Sequence, residues 1–476
     1  RGACDQRNAI DYKRIGGIMN KKISSMDVLF LAMGAMLGWG WVILSGDWVA
    51  TAGFLGATLA FAGGGLLIIF IGLTYAELAT AIPETGGGVA FVQRAYKNKS
   101  LSFLAGWSVL FGYMSVIAFE AVALPTVIDY VKPIEHQVRL WNIARSEVYL
   151  TWALIGSVGA LFLGALNYRG IRSATIFQTI FTTAIVAVGI LLIFGAGYYG
   201  DSENLKPYFN DGMDGMMKVL IMVPFMFVGF DVIPQIASEI KATKSIGKIL
   251  VISILSALVF YVLIIYGVSI GLPHAELQTS KLATADAMTN LFDSKLLGQI
   301  LVIGGIAGII TSWNAFVIGG SRIMYAMATR GMLPTWFAKL HPKYQTPSNA
   351  IIFLTALAFL APLLGRQSLV WLVNAGSIGV ILGYLIVTLA FLQLRKIEPD
   401  LERPYAVKWP KTIGWLAVLF SIGFLSLYLP GMPAELSFPI EWSLVFGWYI
   451  IGAYFLFMHK NTAPTVNYNS VRLETE

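Results

Sequence analysis

Long apolar blocks separated by short polar loops run the length of this chain. About twelve of them come near the ~20 residues that ~30 Å of hydrocarbon requires. They cover roughly residues 26–46, 53–81, 101–130, 149–166, 172–198, 214–238, 246–271, 296–328, 347–364, 369–394, 411–429 and 440–459. The pattern predicts an all-α polytopic membrane protein with twelve transmembrane helices. The flanks are expected as a cytoplasmic N-terminal segment over 1–22, without a cleavable leader, and a cytoplasmic tail over 461–476.

The first block is unusual. Residues 26–47 read MDVLFLAMGAMLGWGWVILSGD, with Gly34, Gly38, Gly40 and Gly46 crowding the middle and end. Glycine has little helix preference and admits backbone conformations closed to other residues, so unwinding is expected at Gly38, Trp39 and Gly40. Within a bilayer each exposed N–H or C=O costs several kcal/mol, so an interrupted helix belongs beside a cavity or buried in protein. The same glycines would also serve close helix packing.

A second interruption favours the cavity. Residues 220–239, in the sixth block, read LIMVPFMFVGFDVIPQIASE. Pro224 and Pro234 each remove a backbone donor, and Gly229 and Asp231 lie between them. Blocks one and six are five apart, the spacing expected if two five-helix repeats of inverted topology bring their interrupted helices together near the midplane. The predicted organisation is a ten-helix core over 23–395 and two additional helices over 396–460.

Composition agrees with a membrane setting: 57% of residues are hydrophobic and 12% charged, and the mean hydropathy is +0.71, far from soluble proteins, in which charged residues run near 25%. The net charge of +7 sorts by side. Of the 33 Lys and Arg, 25 fall in the N-terminus, the even-numbered loops and the C-terminus. The positive-inside rule then puts both termini in the cytoplasm, with the cell (inner or plasma) membrane as the expected location.

Several chemistries are excluded. The single cysteine, Cys4, allows no internal disulfide or cysteine cluster, and His136, His274, His341 and His459 fall in loops or at helix ends. No metal site and no enzyme are expected. No phosphate-cradling GxxxxGK[ST] occurs, so transport would be passive or gradient-driven. No nucleic-acid partner is implied, and no cofactor beyond H+ or Na+ as coupling ion.

Motifs in order along the chain resemble the amino acid, polyamine and organocation (APC) permease family. The glycine-rich first span resembles its GxG break. Tyr75, Ala76, Glu77, Leu78 and Ala79, then Pro83, Gly86 and Gly87, are similar to YAEL…P…GG, and residues 103–107 to FLAGW. Asn167 and Gly170 match NxxG; Gly229, Phe230, Asp231 and Glu239 match GFD…E. The longest match is residues 312–334, SWNAFVIGGSRIMYAMATRGMLP. The resemblance implies a LeuT-like fold and transport of amino acids or related small amines by alternating access.

The half-helix beginning at Gly40 offers free N–H groups to a substrate carboxylate, and carbonyls over residues 225–228 suit its ammonium. By resemblance, Phe225 and Trp313 match aromatics that cover substrate, and Met226, Val228 and Phe230 match the pocket wall; the alternative for each is packing. Trp39 departs from the family, where a small residue usually separates the two glycines.

Asp231 could neutralise a cationic substrate or cap N–H groups of the broken helix. Glu120, the one carboxylate deep in span 3, could carry a proton, since burial penalises a charged carboxyl, or make a structural hydrogen bond. Some proton-coupled members carry a lysine midway along span 5, but residues 173–194 contain none. Thr311 and Ser312 in span 8 are similar to a sodium site, with carbonyls near residues 34–37 as co-ligands, although such hydroxyls often bond their own helix. Glu77, Glu239 and Arg322 could form a cytoplasmic gate or lie at the surface. The function expected is ion-coupled symport, the alternatives being an exchanger, a non-transporting sensor or a channel.

Overall fold

A computed structural model describes residues 23–131, 133–134, 138–143, 146–280 and 282–459. The predicted segments 1–22 and 461–476, with Cys4 and His136, lie outside the described residues.

The chain folds into helices. The first, α1 (Ser25–Met36), opens on a reciprocal cap: the Ser24 hydroxyl accepts from Asp27 N, and the Asp27 carboxylate accepts from Ser24 N. Such a pair satisfies two orphan donors at a helix start. α1 stops at Leu37, and α2 (Gly40–Ala81) begins three residues later. Then come α3 (Gly87–Tyr96) and α4 (Lys99–Val131), followed by an antiparallel hairpin of β1 (Arg139–Ile143) and β2 (Ser146–Tyr149).

Next are α5 (Leu150–Tyr168), α6 (Ile171–Tyr199), α7 (Gly212–Met226), the single turn α8 (Val232–Gln235) and α9 (Ile246–Gly271). The chain continues through α10 (His274–Leu277), α11 (Ala283–Phe292), α12 (Lys295–Thr329), α13 (Ser348–Leu360), α14 (Ser368–Ile397), α15 (Pro410–Ser426) and α16 (Ile440–Met458).

Among the described residues eight helices are long and apolar enough to cross a membrane, with shorter apolar ones at Ser25–Met36, Ser348–Leu364 and Pro410–Ser426. The molecule is an all-α polytopic membrane protein. The first apolar block does not end near residue 46. It runs on into the second as α2, interrupted where Gly53 adopts φ 75, ψ 170; here Gly53 lies against the Pro207 and Tyr208 carbonyls and a side chain would collide with them. α3, α11 and the hairpin are additions to the sequence reading, too short or too polar to register as apolar blocks.

α4 and α12 are buried along most of their length, whereas α5, α6 and α16 show broad apolar outer faces, as lipid contact requires. Small residues let the buried helices approach. Gly376, Gly379 and Gly383 of α14 receive Ser115, Phe111 and Val109 of α4, the small-residue contact that replaces the hydrophobic effect inside a bilayer. α16 docks on α4 through a reciprocal pair: Trp107 Nε1 donates to the Trp448 carbonyl and Trp448 Nε1 to the Trp107 carbonyl, both at 3.0 Å, with the rings stacked 4.2 Å apart.

Candidate functional site

The two interruptions meet. Residues 227–231 separate α7 from α8, and Gly229 there has φ 128, a conformation glycine adopts without steric cost. A Cβ on Gly229 would fall 2.9 Å from the Ala35 carbonyl carbon and 3.1 Å from Met36 N. The broken backbones therefore touch at the end of α1.

Tyr261 of α9 joins them as well: its hydroxyl lies 2.6 Å from the Met36 carbonyl and 2.9 Å from the Met226 carbonyl. These carbonyls close the two half-helices, where backbone acceptors lose their helical donors. The sequence reading missed Tyr261. Its signal was a phenol in the middle of a largely apolar span, since a buried tyrosine hydroxyl usually finds a partner.

Beside these breaks lies a cavity of about 740 Å3. Gly38, Trp39, Gly40, Glu120, Phe225, Met226, Val228 and Ser312 line it, and so do Phe119 and Phe316, which the sequence had not singled out. On one side no side chain caps the start of α2 at Trp39, so its amides point out as a positive end. On the other, the Val228 carbonyl, in the lining, accepts from no group among the described residues. These two features could hold a carboxylate and an ammonium.

Glu120 and Ser312, candidates for two different ions in the sequence, form one unit. The Ser312 hydroxyl hydrogen-bonds Glu120 Oε1 and lies 2.9 Å from the Gly308 carbonyl of its own helix. Both side chains abut the break, since a Cβ on Gly38 would sit 3.2 Å from Ser312 Oγ and 3.5 Å from Glu120 Oε1. Glu120 is buried, its Oε2 has no hydrogen-bond partner, and among the described residues no Lys or Arg pairs with it.

Gly229, also a candidate for substrate contact, lies against α1 and does not line the cavity, and four further candidates stand elsewhere. Thr311 donates to the Gly308 carbonyl at 3.1 Å, within its own helix. Trp313 is turned away from the cavity: one residue on from Ser312, it projects about 100° around α12 and lines an apolar recess against Gly159, Leu124 and Leu154. Phe230 packs on Tyr75 and Tyr384 behind the break. Asp231 is saturated, accepting from Tyr113 at 2.7 Å, Tyr384 at 3.0 Å and Gly229 N at 3.1 Å. It caps the broken helix and does not line the cavity.

Trp39 fits because Gly305 is opposite. Its ring lies on α12 where any Gly305 side chain would overlap it. Near Gly34, the residues facing span 1 are Thr182, Gln178 and Thr311. Thr182 Oγ1 donates to the Phe30 carbonyl at 3.2 Å, and Asn314 donates to Gln178 Oε1 at 2.7 Å. Among the described residues no three His, Cys, Asp or Glu side chains gather as a metal site.

Neither of the remaining carboxylates lies free at the surface. Glu239 and Arg322 form an ion pair at 2.8 Å with both side chains almost fully buried. Glu77 accepts from Arg395 Nε at 2.7 Å, from Arg403 Nε at 3.1 Å and from Val407 N at 2.8 Å.

Interrupted membrane helices closing on a shared central cavity define a solute transporter rather than an enzyme. The profile of the amino acid permease family matches residues 23–456, and the chain belongs to that family. Among its relatives, the branched-chain amino acid permease BcaP of Bacillus subtilis is 27% identical over 93% of this chain and 94% of its own. The methylthioribose transporter of the same organism is 26% identical over 93% and 94%. The serine/threonine exchanger SteT is 26% identical over 82% and 86%.

Proposed function

We propose that this permease is a proton-coupled secondary transporter of neutral amino acids with apolar side chains, working by alternating access. It spans the plasma membrane twelve times, with ten core helices over 23–395 in a five-plus-five inverted repeat, two further helices over 396–460, and both termini cytoplasmic. The amides at Gly40 take the substrate carboxylate and the Val228 carbonyl its ammonium.

One observation carries the coupling: the Glu120 carboxyl borders the cavity at the Gly38 break, and among the described residues Ser312 is its sole hydrogen-bond partner and no Lys or Arg forms an ion pair with it. A single Ser312 proton cannot serve Glu120 and the Gly308 carbonyl together. Both bonds form when Glu120 is protonated, because it then donates to Ser312 while Ser312 donates to Gly308. Ionised and without a cationic partner, a buried carboxylate is costly, which favours loading substrate and proton together.

Substrate class follows from the walls. Ile43, Leu44, Met222, Phe225, Met226 and Val228 surround the breaks, Asp231 is occupied by two tyrosines, and the carboxylate of the lining besides Glu120, Glu435, is exposed and accepts from Gly431 N. The test is uptake of a labelled amino acid panel into proteoliposomes under a proton gradient, a sodium gradient or neither. Proton-driven accumulation of leucine-like substrates supports the proposal; uptake that follows sodium, or no uptake of any amino acid, overturns it.

A further inference from the structure

The face rich in Lys and Arg carries a recess, separate from the central cavity, of about 610 Å3. Four cations line it: Arg169 and Arg172 from the α5–α6 turn, Lys241 from the segment after α8, and Lys343 from the loop after α12. Elsewhere on this face Arg94, Arg322, Arg330, Arg395 and Arg403 each pair with a glutamate. Among the described residues the four cations of the recess pair with no carboxylate.

Four like charges converging on one hollow repel unless an anion joins them. The one carboxylate in the lining, Asp27, is engaged in its own helix cap, accepting from Ser24 N at 3.2 Å and Ser24 Oγ at 2.7 Å. α6, a 29-residue helix, starts at this recess with no side-chain cap at Gly170, and adds the positive end of its dipole. The lining is also braced. Thr346 Oγ1 donates to the Tyr168 carbonyl at 3.0 Å, and the Tyr168 ring meets His341 edge-on at 5.0 Å, tying the Arg169 turn to the Lys343 loop.

We propose that this recess binds the phosphate headgroup of an anionic membrane lipid. A phosphodiester satisfies the cations and the open amides. Ile176, exposed on the next turn of α6 and part of the same lining, leads from the recess onto the apolar flank, where an acyl chain continues and a soluble phosphate has nothing to contact. The consequence is mechanical. Lys241 N donates to the Ile23 carbonyl and Ile23 N to the Glu239 carbonyl, so Lys241 belongs to the strap that joins the start of α1 to the end of the second interrupted helix. A headgroup shared by Lys241, Arg169 and Lys343 ties that strap to the neighbouring loops.

The test is the thermal unfolding midpoint of the purified full chain in detergent with added dioleoyl phosphatidylglycerol, dioleoyl phosphatidylcholine or inorganic phosphate. Phosphatidylglycerol raises the midpoint and phosphatidylcholine does not. In titrations the K241Q/K343Q and R169Q/R172Q variants each lose affinity for phosphatidylglycerol, about fivefold per side chain, the ratio that 1 kcal/mol per basic residue near an anionic surface corresponds to. All four positions are exposed, so the glutamine variants lose no buried contact and their lipid-free midpoints do not fall below the wild-type value, and K241R/K343R retains the response. A phosphatidylglycerol affinity unchanged from wild type in both glutamine variants overturns the site, and so does a midpoint rise with inorganic phosphate equal to that with phosphatidylglycerol, which identifies a soluble-anion site.

Discussion

Ser312 of α12 lies between two acceptors, Glu120 of α4 and the Gly308 carbonyl of its own helix, and its hydroxyl carries one proton. The protonation of Glu120 therefore decides which way that hydroxyl points at the Gly38 break. Glu120→Gln keeps a donor toward Ser312 and cannot ionise. It is expected to retain substrate exchange across the membrane while losing accumulation driven by a proton gradient, both read in proteoliposomes. Full gradient-driven accumulation in this variant would remove Glu120 from the coupling.

Trp39 and Gly305 form a matched pair across α2 and α12. Gly305→Val drives a branched side chain into the indole, an overpacking that costs about 1–3 kcal/mol and lowers the thermal midpoint. Trp39→Gly relieves the clash, so the double variant should recover most of that loss. Strictly additive effects in the double-mutant cycle would contradict direct contact.

The buried pair of Arg322 and Glu239 holds α12 to the segment after α8. Removal of one partner leaves an uncompensated buried charge, at about 3–5 kcal/mol. Arg322→Met is expected to destabilise strongly, and Arg322→Met with Glu239→Gln to recover part of the stability, measured by thermal unfolding in detergent. Equal stability of the single variant and wild type would refute the pairing.

Tyr261→Phe leaves the rings around it in place while removing the hydroxyl that reaches the Met36 and Met226 carbonyls. Loss of a buried hydrogen bond costs about 1–3 kcal/mol, here at both broken helices at once. Reduced substrate affinity accompanied by a lower midpoint is expected; a lower midpoint with unchanged affinity would make Tyr261 structural only.

Local chemistry made much of this protein legible from its residues. Glycine at 38, 40 and 229 and proline at 224 and 234 weaken a helix wherever they occur, so the interruptions could be read without any partner in view. Apolar block length announced membrane helices because bilayer thickness is fixed, while arginine and lysine spacing along the chain drew attention to one face.

What only the tertiary structure decided were the pairings. Glu120 and Ser312 are 192 residues apart, and nothing local to either announces the other, so each had been assigned to a different ion. Asp231 read equally as a substrate counter-charge or a cap until Tyr113 and Tyr384 closed around it. Trp313, one position from Ser312, faces the other way because helix rotation separates neighbours in sequence. Such choices rest on which distant helices pack together, and for a buried polar group its partner across that contact determines what chemistry it can do.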